Sequence, residues 1–556
     1  MSKTPDATIM DFVLVLHTHL PYVLGHGRWP HGSDWLMEAA VDCYLPLIES
    51  FEELKRDGVG APVTFSVTPI VAAQLAHRDF PRELRAFFAQ RLAACDEAER
   101  DVSEDPQLVA VVRFWRNLHE KRSAYFDELH GDLISALRRL EDSGTIELMS
   151  AAATHGFLPL LARDESIRLQ LLAGRGEHER LFGRSPRGCW LPECAYRPRG
   201  PWAPWPGGPS EPMRDGLETH VEAAGFRFVV VDAHLAEAGR PLEAYGRGPS
   251  RRAPAADPAV RSPYGDYVIG NDARAIRALV RDPASTRQVW SRDGGYPGGD
   301  AYLEFHKIRF PGGLKLWEVT GPGVSLGDKR PYSPDRARHM ADGHAAHFSA
   351  MLDQVAAANS ARGTVIVAPF DSELFGHWWF EGPEFIADTY RALRRHPGIR
   401  PVTASAHVRE ATAVTPLSLP EGSWGRDGDF SMWLNNDTAW TWTRLWELEE
   451  RFWNVAPKAL AQRSALPILT QAARELLLAQ SSDWQFIIST GEVRDYGERR
   501  FALHADDTEA LVAALEQGGD LSAAAERASE LNARDSVFPG VLEAVAQALV
   551  PSAVPA

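Results

Sequence analysis

RGCWLPECAY (187–196) is a continuous apolar run that breaks on a carboxylate, Glu193, held between Pro192 and Cys194. An unbroken apolar run, as opposed to an alternating one, is how a strand covered on both faces reads. The same pattern, a short β-branched run ending in polar or titratable residues, occurs in FVLVLHTH (12–19), VTFSVTP (63–69), TIELMSAAATH (145–155), FRFVVVDAH (226–234) and TVIVAPFDSELFGHWW (364–379). GLKLWEV (313–319) and GIRPVTAS (398–405) are weaker candidates. Between the runs lie stretches with apolar spacing near 3.6, above all residues 81–142. Strands alternating with helices, with reactive side chains at the strand C-termini, predict an α/β barrel whose site lies at its top. Six clear runs fall short of a closed eightfold barrel.

The chain has 556 residues, 44% of them hydrophobic, which is more than one compact domain usually holds. A formal net charge of -16 argues against a nucleic-acid partner and points to a neutral or cationic substrate. The four cysteines, Cys43, Cys95, Cys189 and Cys194, match no zinc spacing and read as free thiols in a reducing cytoplasm. The N-terminal apolar stretch is only FVLVL, and no run approaches the roughly 18 apolar residues of a membrane span. The expectation is a soluble, cytoplasmic protein with no membrane partner. Residues 197–218 and 239–266 carry the Pro, Gly and Arg bias of surface loops, and from about 415 onward the pattern turns helical.

Glu193 and Asp371 both follow apolar runs and have tryptophans nearby (Trp190 before Glu193, Trp378 and Trp379 after Asp371). Two carboxyls at strand ends, walled by aromatics, suit glycoside chemistry: one attacks the anomeric carbon and the other protonates the leaving oxygen. Seventeen tryptophans, roughly twice an average share, cluster near 190–205, 378–379 and 424–453. Such rings fill cores and also stack on the C–H faces of sugars. His17 and His19 share one face of their strand. They could contact sugar, satisfy a polar core, or bind a metal with Asp232, His234 or His155, which would make a metal-dependent polysaccharide deacetylase.

Taken together, the motifs resemble glycoside hydrolase family 57, in its 1,4-α-glucan branching subgroup. HTHLPYV (17–23) and ELMSAAATHGFLPLL (147–161) resemble its first two signatures, WLPECAYRP (190–198) its nucleophile motif, and APFDSELFGHWWFEGP (368–383) its acid/base motif. RQVWSRDGGYPGG (287–299), GLKLWEVTGPGVSLGDKRPY (313–332), WGRDGDFSMWLNNDTAWTW (424–442) and QSSDWQF (480–486) follow in the family's order. The resemblance implies a distorted (β/α)7 barrel with an inserted helical subdomain after the nucleophile strand and a helical C-terminal domain over the cleft. It places the catalytic barrel at 1–195 and 265–412, the insert with a mobile lid loop at 196–264, and the C-terminal domain at 413–550. It implies a retaining transfer of α-1,4-glucan chains to 6-hydroxyls, with no cofactor and no metal. Glu193 is then the nucleophile and Asp371 the general acid/base. His17, His19, His155 and His377 become candidate sugar contacts, Trp29, Trp290, Trp424 and Trp433 candidate cleft aromatics, Asp483 a contact from the C-terminal domain, and Tyr245 the lid tyrosine. The lid is longer and richer in Arg, Pro and Ala than the family's, and 201–210 also departs from it. An α-amylase-type hydrolase or a 4-α-glucanotransferase on the same scaffold, and a pure carbohydrate-binding protein, remain as alternatives.

Overall fold

The computed structural model describes residues 9–28, 31–204, 212–236, 261–271, 274–291, 294–361 and 363–550. Seven parallel strands form its centre: β1 (Met10–Thr18), β2 (Val63–Val67), β3 (Ile146–Ala151), β4 (Gly188–Trp190), β5 (Phe228–Val231), β6 (Arg274–Val280) and β7 (Val365–Asp371). They are ordered β7-β1-β2-β3-β4-β5-β6. The two ends of that row meet where Arg281, just past β6, bridges Val367 of β7, and the Asp282 amide donates to the Val367 carbonyl at 2.7 Å. The ring is therefore closed, but by far fewer bonds than join β1 to β7, where the register runs from Asp11↔Val365 to His17↔Asp371. This is the distorted (β/α)7 barrel.

All nine residues of β1 are buried, as its unbroken apolar run requires. Each of the six apolar runs supplies a barrel strand, and the seventh is β6. Arg274 and Arg277 interrupt its apolar sequence, and its side chains are buried only at alternate positions over the first half. The two weaker candidates are not barrel staves. In GLKLWEV, Leu314–Lys315 pairs with Ile308–Arg309 in a separate two-stranded ribbon, and Trp317 and Glu318 make single bridges to Pro331 and Leu303. In GIRPVTAS, Ile399–Pro401 pairs with the start of β1, off the ring. Tyr267–Asn271 lies antiparallel on β6, with Thr415–Pro416 beyond it.

The position of the insert needs correction. Phe228–Val231 is hydrogen-bonded between β4 and β6, so 196–264 contains a barrel stave. The long inserted helices are Phe80–Asp101 and Pro106–Glu128, between β2 and β3. Asp105 starts the second of them by accepting from the amides of Gln107 (2.9 Å) and Leu108 (3.2 Å), with Pro106 at the first helical position.

Among the described residues the C-terminal region forms six α-helices: α1 (Ala439–Leu460), α2 (Leu466–Ala479), α3 (Ser482–Thr490), α4 (Arg494–Gln517), α5 (Ser522–Arg534) and α6 (Val541–Ala548). Helix α1 anchors to the barrel through its tryptophans: Trp446 Nε1 donates to the Leu160 carbonyl and Trp453 Nε1 to Ser166 Oγ, both at 2.8 Å. At the other end, His26 of the barrel meets Asp535 at 2.7 Å. All four cysteines are free and buried. No helix among the described residues is long and apolar enough to cross a membrane.

Candidate active site

Strand β4 ends at Trp190, and the chain then turns through two successive non-glycine residues in the left-handed region, Glu193 (φ 61°) and Cys194 (φ 47°). Such conformations cost about 1–3 kcal/mol each and persist only where the surroundings over-determine them. Here the Cys194 amide donates to the Leu191 carbonyl (2.8 Å), the Glu193 carbonyl accepts from the Trp424 amide (3.0 Å), and Tyr196 pairs with Gly422. The turn aims the Glu193 carboxylate into the mouth of the barrel. Trp424 Nε1 donates to one of its oxygens at 2.8 Å and Ser482 Oγ to the other at 3.1 Å. Burial raises the Glu193 carboxyl above its usual range, while the Trp424 bond and His19 work to keep it ionised.

The three histidines pack behind it. His17 stacks on Trp190 (4.3 Å, 9°), and His155 lies on His19 (4.0 Å). Both ring nitrogens of each are engaged: His17 with Ser66 (3.1 Å) and His155 (3.1 Å), His155 with Ser482 (3.0 Å), and His19 with Thr68 (3.2 Å) and Asp483 (2.9 Å). His17 and His155 are each 2% exposed, and burial holds both well below the usual imidazole range, so they stay neutral. His19 is raised: burial opposes its charge, but Asp483, Glu193 and Glu373 outweigh it. In this arrangement the ring nitrogens of His17, His19 and His155 are all taken up by side chains of the barrel and of the C-terminal region. His17 and His19 do not belong to any group of acids and histidines close enough to share an ion among the described residues. The other proposed ligands are also committed, with Asp232 bound to His234 (3.0 Å) and Arg281 (2.9 Å), and His234 to the Gly428 carbonyl (3.0 Å).

Asp371 closes strand β7 and faces the same mouth. Its carboxyl is driven well above the usual range, first by burial and then by the charges of Glu373 and Glu193, against Arg281 and His19. Glu373, two residues on, accepts from Tyr44 Oη at 2.7 Å, and burial raises it to about 7. The two carboxyls therefore differ in kind. Glu193 takes two hydrogen bonds that favour its anion, while Asp371 receives none from the described residues and lies among like charges. Such a pair separates into one ionised and one protonated group.

The model of glycosyl hydrolase family 57 matches residues 13–420, and that of the 1,4-alpha-glucan branching enzyme C-terminal region matches 444–544. The chain belongs to glycosyl hydrolase family 57. Its relatives in the family include a 1,4-alpha-glucan branching enzyme of Thermococcus kodakarensis, 36% identical over 89% of this chain and 72% of that protein. The crystal structure of a Thermococcus kodakaraensis branching enzyme of this family, in complex with glucose, superposes with a TM-score of 0.88 at 35% identity, covering 98% of this chain and 97% of that one. An alpha-amylase of Thermotoga maritima, at 27% identity, superposes at 0.80 over 97% of this chain and 99% of its own.

Within this family-57 chain the remaining expected site residues separate. Trp424 is at the mouth, its ring edge-on to Trp190 (5.2 Å) and under the Arg281 guanidinium (5.2 Å). Asp483 is there too, holding His19. Trp433 is 1% exposed and stacked on Phe157 at 4.5 Å, so it fills the core and presents no face to a sugar. Trp290 is partly buried against the core at the end of the helix Pro283–Trp290. His377 does not join the other histidines; it sits against Asp42 and Phe305. Trp29 and Tyr245 lie outside the described residues. Sequence reasoning missed Ser482, Glu373 and Arg281 as site residues. Ser482 stands beside a chosen residue in QSSDWQF, but a lone serine has no charge or periodicity to single it out. Among the described residues, the one group of acids and histidine close enough to share an ion is Glu475, His504 and Asp535, in the C-terminal helices. Arg534 already pairs with Asp535, and Arg500 with His504, so that group is an ion-pair cluster.

Proposed function

We infer that this chain is a 1,4-α-glucan branching enzyme that works by retaining double displacement. Glu193 is the nucleophile and Asp371 the acid, then the base. The observation that carries this is the asymmetry of the two carboxyls: Glu193 hydrogen-bonded by Trp424 and Ser482, Asp371 pushed toward its protonated form.

In the first step Glu193 attacks the anomeric carbon of an α-1,4-linked unit while Asp371 gives its proton to the departing glycosidic oxygen. The result is a glycosyl ester on Glu193 and a shortened glucan. In the second step Asp371, now a carboxylate, takes the proton from the 6-hydroxyl of an acceptor glucan. The acceptor oxygen bonds to the anomeric carbon and the ester breaks. One α-1,4 link is lost, one α-1,6 link forms, and both carboxyls return to their starting states. Water, at about 55 M, competes for the ester, so transfer needs a bound acceptor and a site from which water is largely displaced. The Trp424 ring walls the carbon that Glu193 attacks, the buried Trp190–His17 stack backs that wall, and residues 413–550 complete it. Tyr245 is the proposed lid residue that shields the ester.

Incubation with amylose tests this. New isoamylase-sensitive α-1,6 links should appear with little rise in reducing ends. The likeness to the Thermotoga maritima alpha-amylase keeps hydrolysis as the second reading. A matching rise in reducing ends without α-1,6 links would decide for it.

A further inference from the structure

Beside the turn that carries Asp371, a cavity of about 450 Å³ opens between the helix Pro106–Glu128 and the segment 305–315. That is within the roughly 300–1,000 Å³ of small-molecule sites. Its walls include Trp115, His119, Phe305, Lys315, His377 and Asp42. None of them takes part in the steps above.

The polar groups in this cavity are positioned but incompletely used. His119 is 3% exposed and stacked on Trp115, and its Nδ1 has no hydrogen-bond partner among the described residues. His377 Nδ1 lies 3.9 Å from Asp42 Oδ2, longer than a hydrogen bond. Lys315 Nζ sits 4.5 Å over the Phe305 ring and spends one bond, at 3.3 Å, on the His377 carbonyl. Each carboxylate of the lining has a cation beside it: Glu38 pairs with Arg91, Asp34 with Arg28, and Asp42 faces Lys315 and Arg122. Aromatic walls, donors and acceptors in one place, and carboxylates that each already have a cation beside them suit a neutral polyhydroxylated ligand better than a phosphate or a cation.

Position narrows the ligand further. Asp42 lies in the turn Ala40–Tyr44, whose next two residues hold the acid/base turn: Cys43 Sγ donates to the Ser372 carbonyl (3.0 Å) and Tyr44 Oη to Glu373 (2.7 Å). Gly376 packs so closely on Asp42 that a Cβ there would fall 1.9 Å from its carbonyl oxygen. The cavity and the acid/base turn therefore share one wall. In a retaining mechanism the acid/base group faces first the leaving oxygen and then the acceptor oxygen, so both of those chains extend on its side.

We propose that this cavity is an acceptor-side site for one glucosyl unit, filled by the departing chain in the first step and by the accepting chain in the second. The proposal rests on the reading of Asp371 as acid/base. Phe305→Ala tests it, using amylose branching and, separately, hydrolysis of α-maltosyl fluoride, a donor with no sugar on the acceptor side. The variant should raise KM for amylose about tenfold with kcat little changed, as loss of uniform binding does. It should leave the fluoride reaction untouched. Asp42→Asn should shift the same ratio. Wild-type KM for amylose in both variants would overturn the proposal. So would equal losses in the two reactions, which would make these residues supports of the fold. If the wild-type protein forms no α-1,6 links at all, the branching reading fails instead, and the fluoride assay still reports on its chemistry.

Discussion

The two carboxyl-bearing turns stand at the ends of strands β4 and β7, yet they are supported in opposite ways. The Glu193 turn is left-handed and clasped from outside the barrel, by Trp424 and by Ser482 of helix α3. The Asp371 turn leaves its strand in ordinary extended backbone and is braced from within the barrel, by Cys43 and Tyr44. One acid is thus completed by the C-terminal region and the other by the barrel itself. In the proposed mechanism the nucleophile needs donors to keep its charge in a buried site, and the acid needs their absence to keep its proton.

The most drastic way to break this comparison is to remove each acid. Glu193→Gln and Asp371→Asn should each cut branching by at least about 10³-fold. They should differ with a fluoride donor, whose leaving group needs no proton: mass spectrometry with a 5-fluoroglycosyl fluoride should trap an ester in Asp371→Asn and none in Glu193→Gln. Next in size is Trp424→Phe, which keeps the wall but removes a hydrogen bond to a charged group. A loss of about 10–100-fold in kcat is expected, and the acid limb of the pH–rate profile should move up, because Glu193 loses the donor that favours its anion. Ser482→Ala, which removes a longer bond, should do the same by less, about tenfold or under. An unshifted acid limb in both variants would show that the C-terminal region does not set the nucleophile's charge. Tyr245→Ala should lower the ratio of transfer to hydrolysis a few-fold, with total ester turnover preserved; an unchanged product ratio would remove Tyr245 from the lid role.

The smallest effect is on stability. Burial raises Glu373 and Glu381 to about 7 in the folded chain, above the unfolded value. Folding then binds extra protons, so their contribution is present at low pH and lost as pH rises through about 7. The buried neutral histidines act in the opposite sense, but only below their unfolded value of about 6.5. Between pH 6.5 and 8 the melting temperature should therefore fall by about 1–2 °C, and the double variant Glu373→Gln, Glu381→Gln should reduce that fall, leaving the part due to Glu449, which burial also raises to about 7.

Much of the fold was legible because a stave buried on both faces has little choice of composition. Six strands and the positions of both carboxyls follow from that rule alone. Strand β6 escaped it because Arg274, buried, and Arg277, half-buried on the less covered side, break the apolar run that the rule looks for. The helical insert was misplaced for a related reason: proline and glycine mark loops, but do not say whether a strand such as Phe228–Val231 hidden between two loops returns to the same sheet.

The site was legible by residue type and less so by role. Spacing puts His17 and His19 on one face of a strand, and nothing local tells whether that face meets sugar, metal or other side chains. Trp424 and Trp433 lie in one motif, yet one donates to Glu193 and the other is sealed against Phe157. By itself the sequence determined the strands, the pair of acids and the family, because apolar runs, chain order and motif spacing are local properties. The tertiary structure alone decided which acid receives hydrogen bonds that favour its anion, which histidines are bonded at both nitrogens, and that a serine 289 residues from Glu193 donates to its carboxylate. Those depend on partners brought in from distant parts of the chain, and burial and hydrogen bonding exist only once such partners meet.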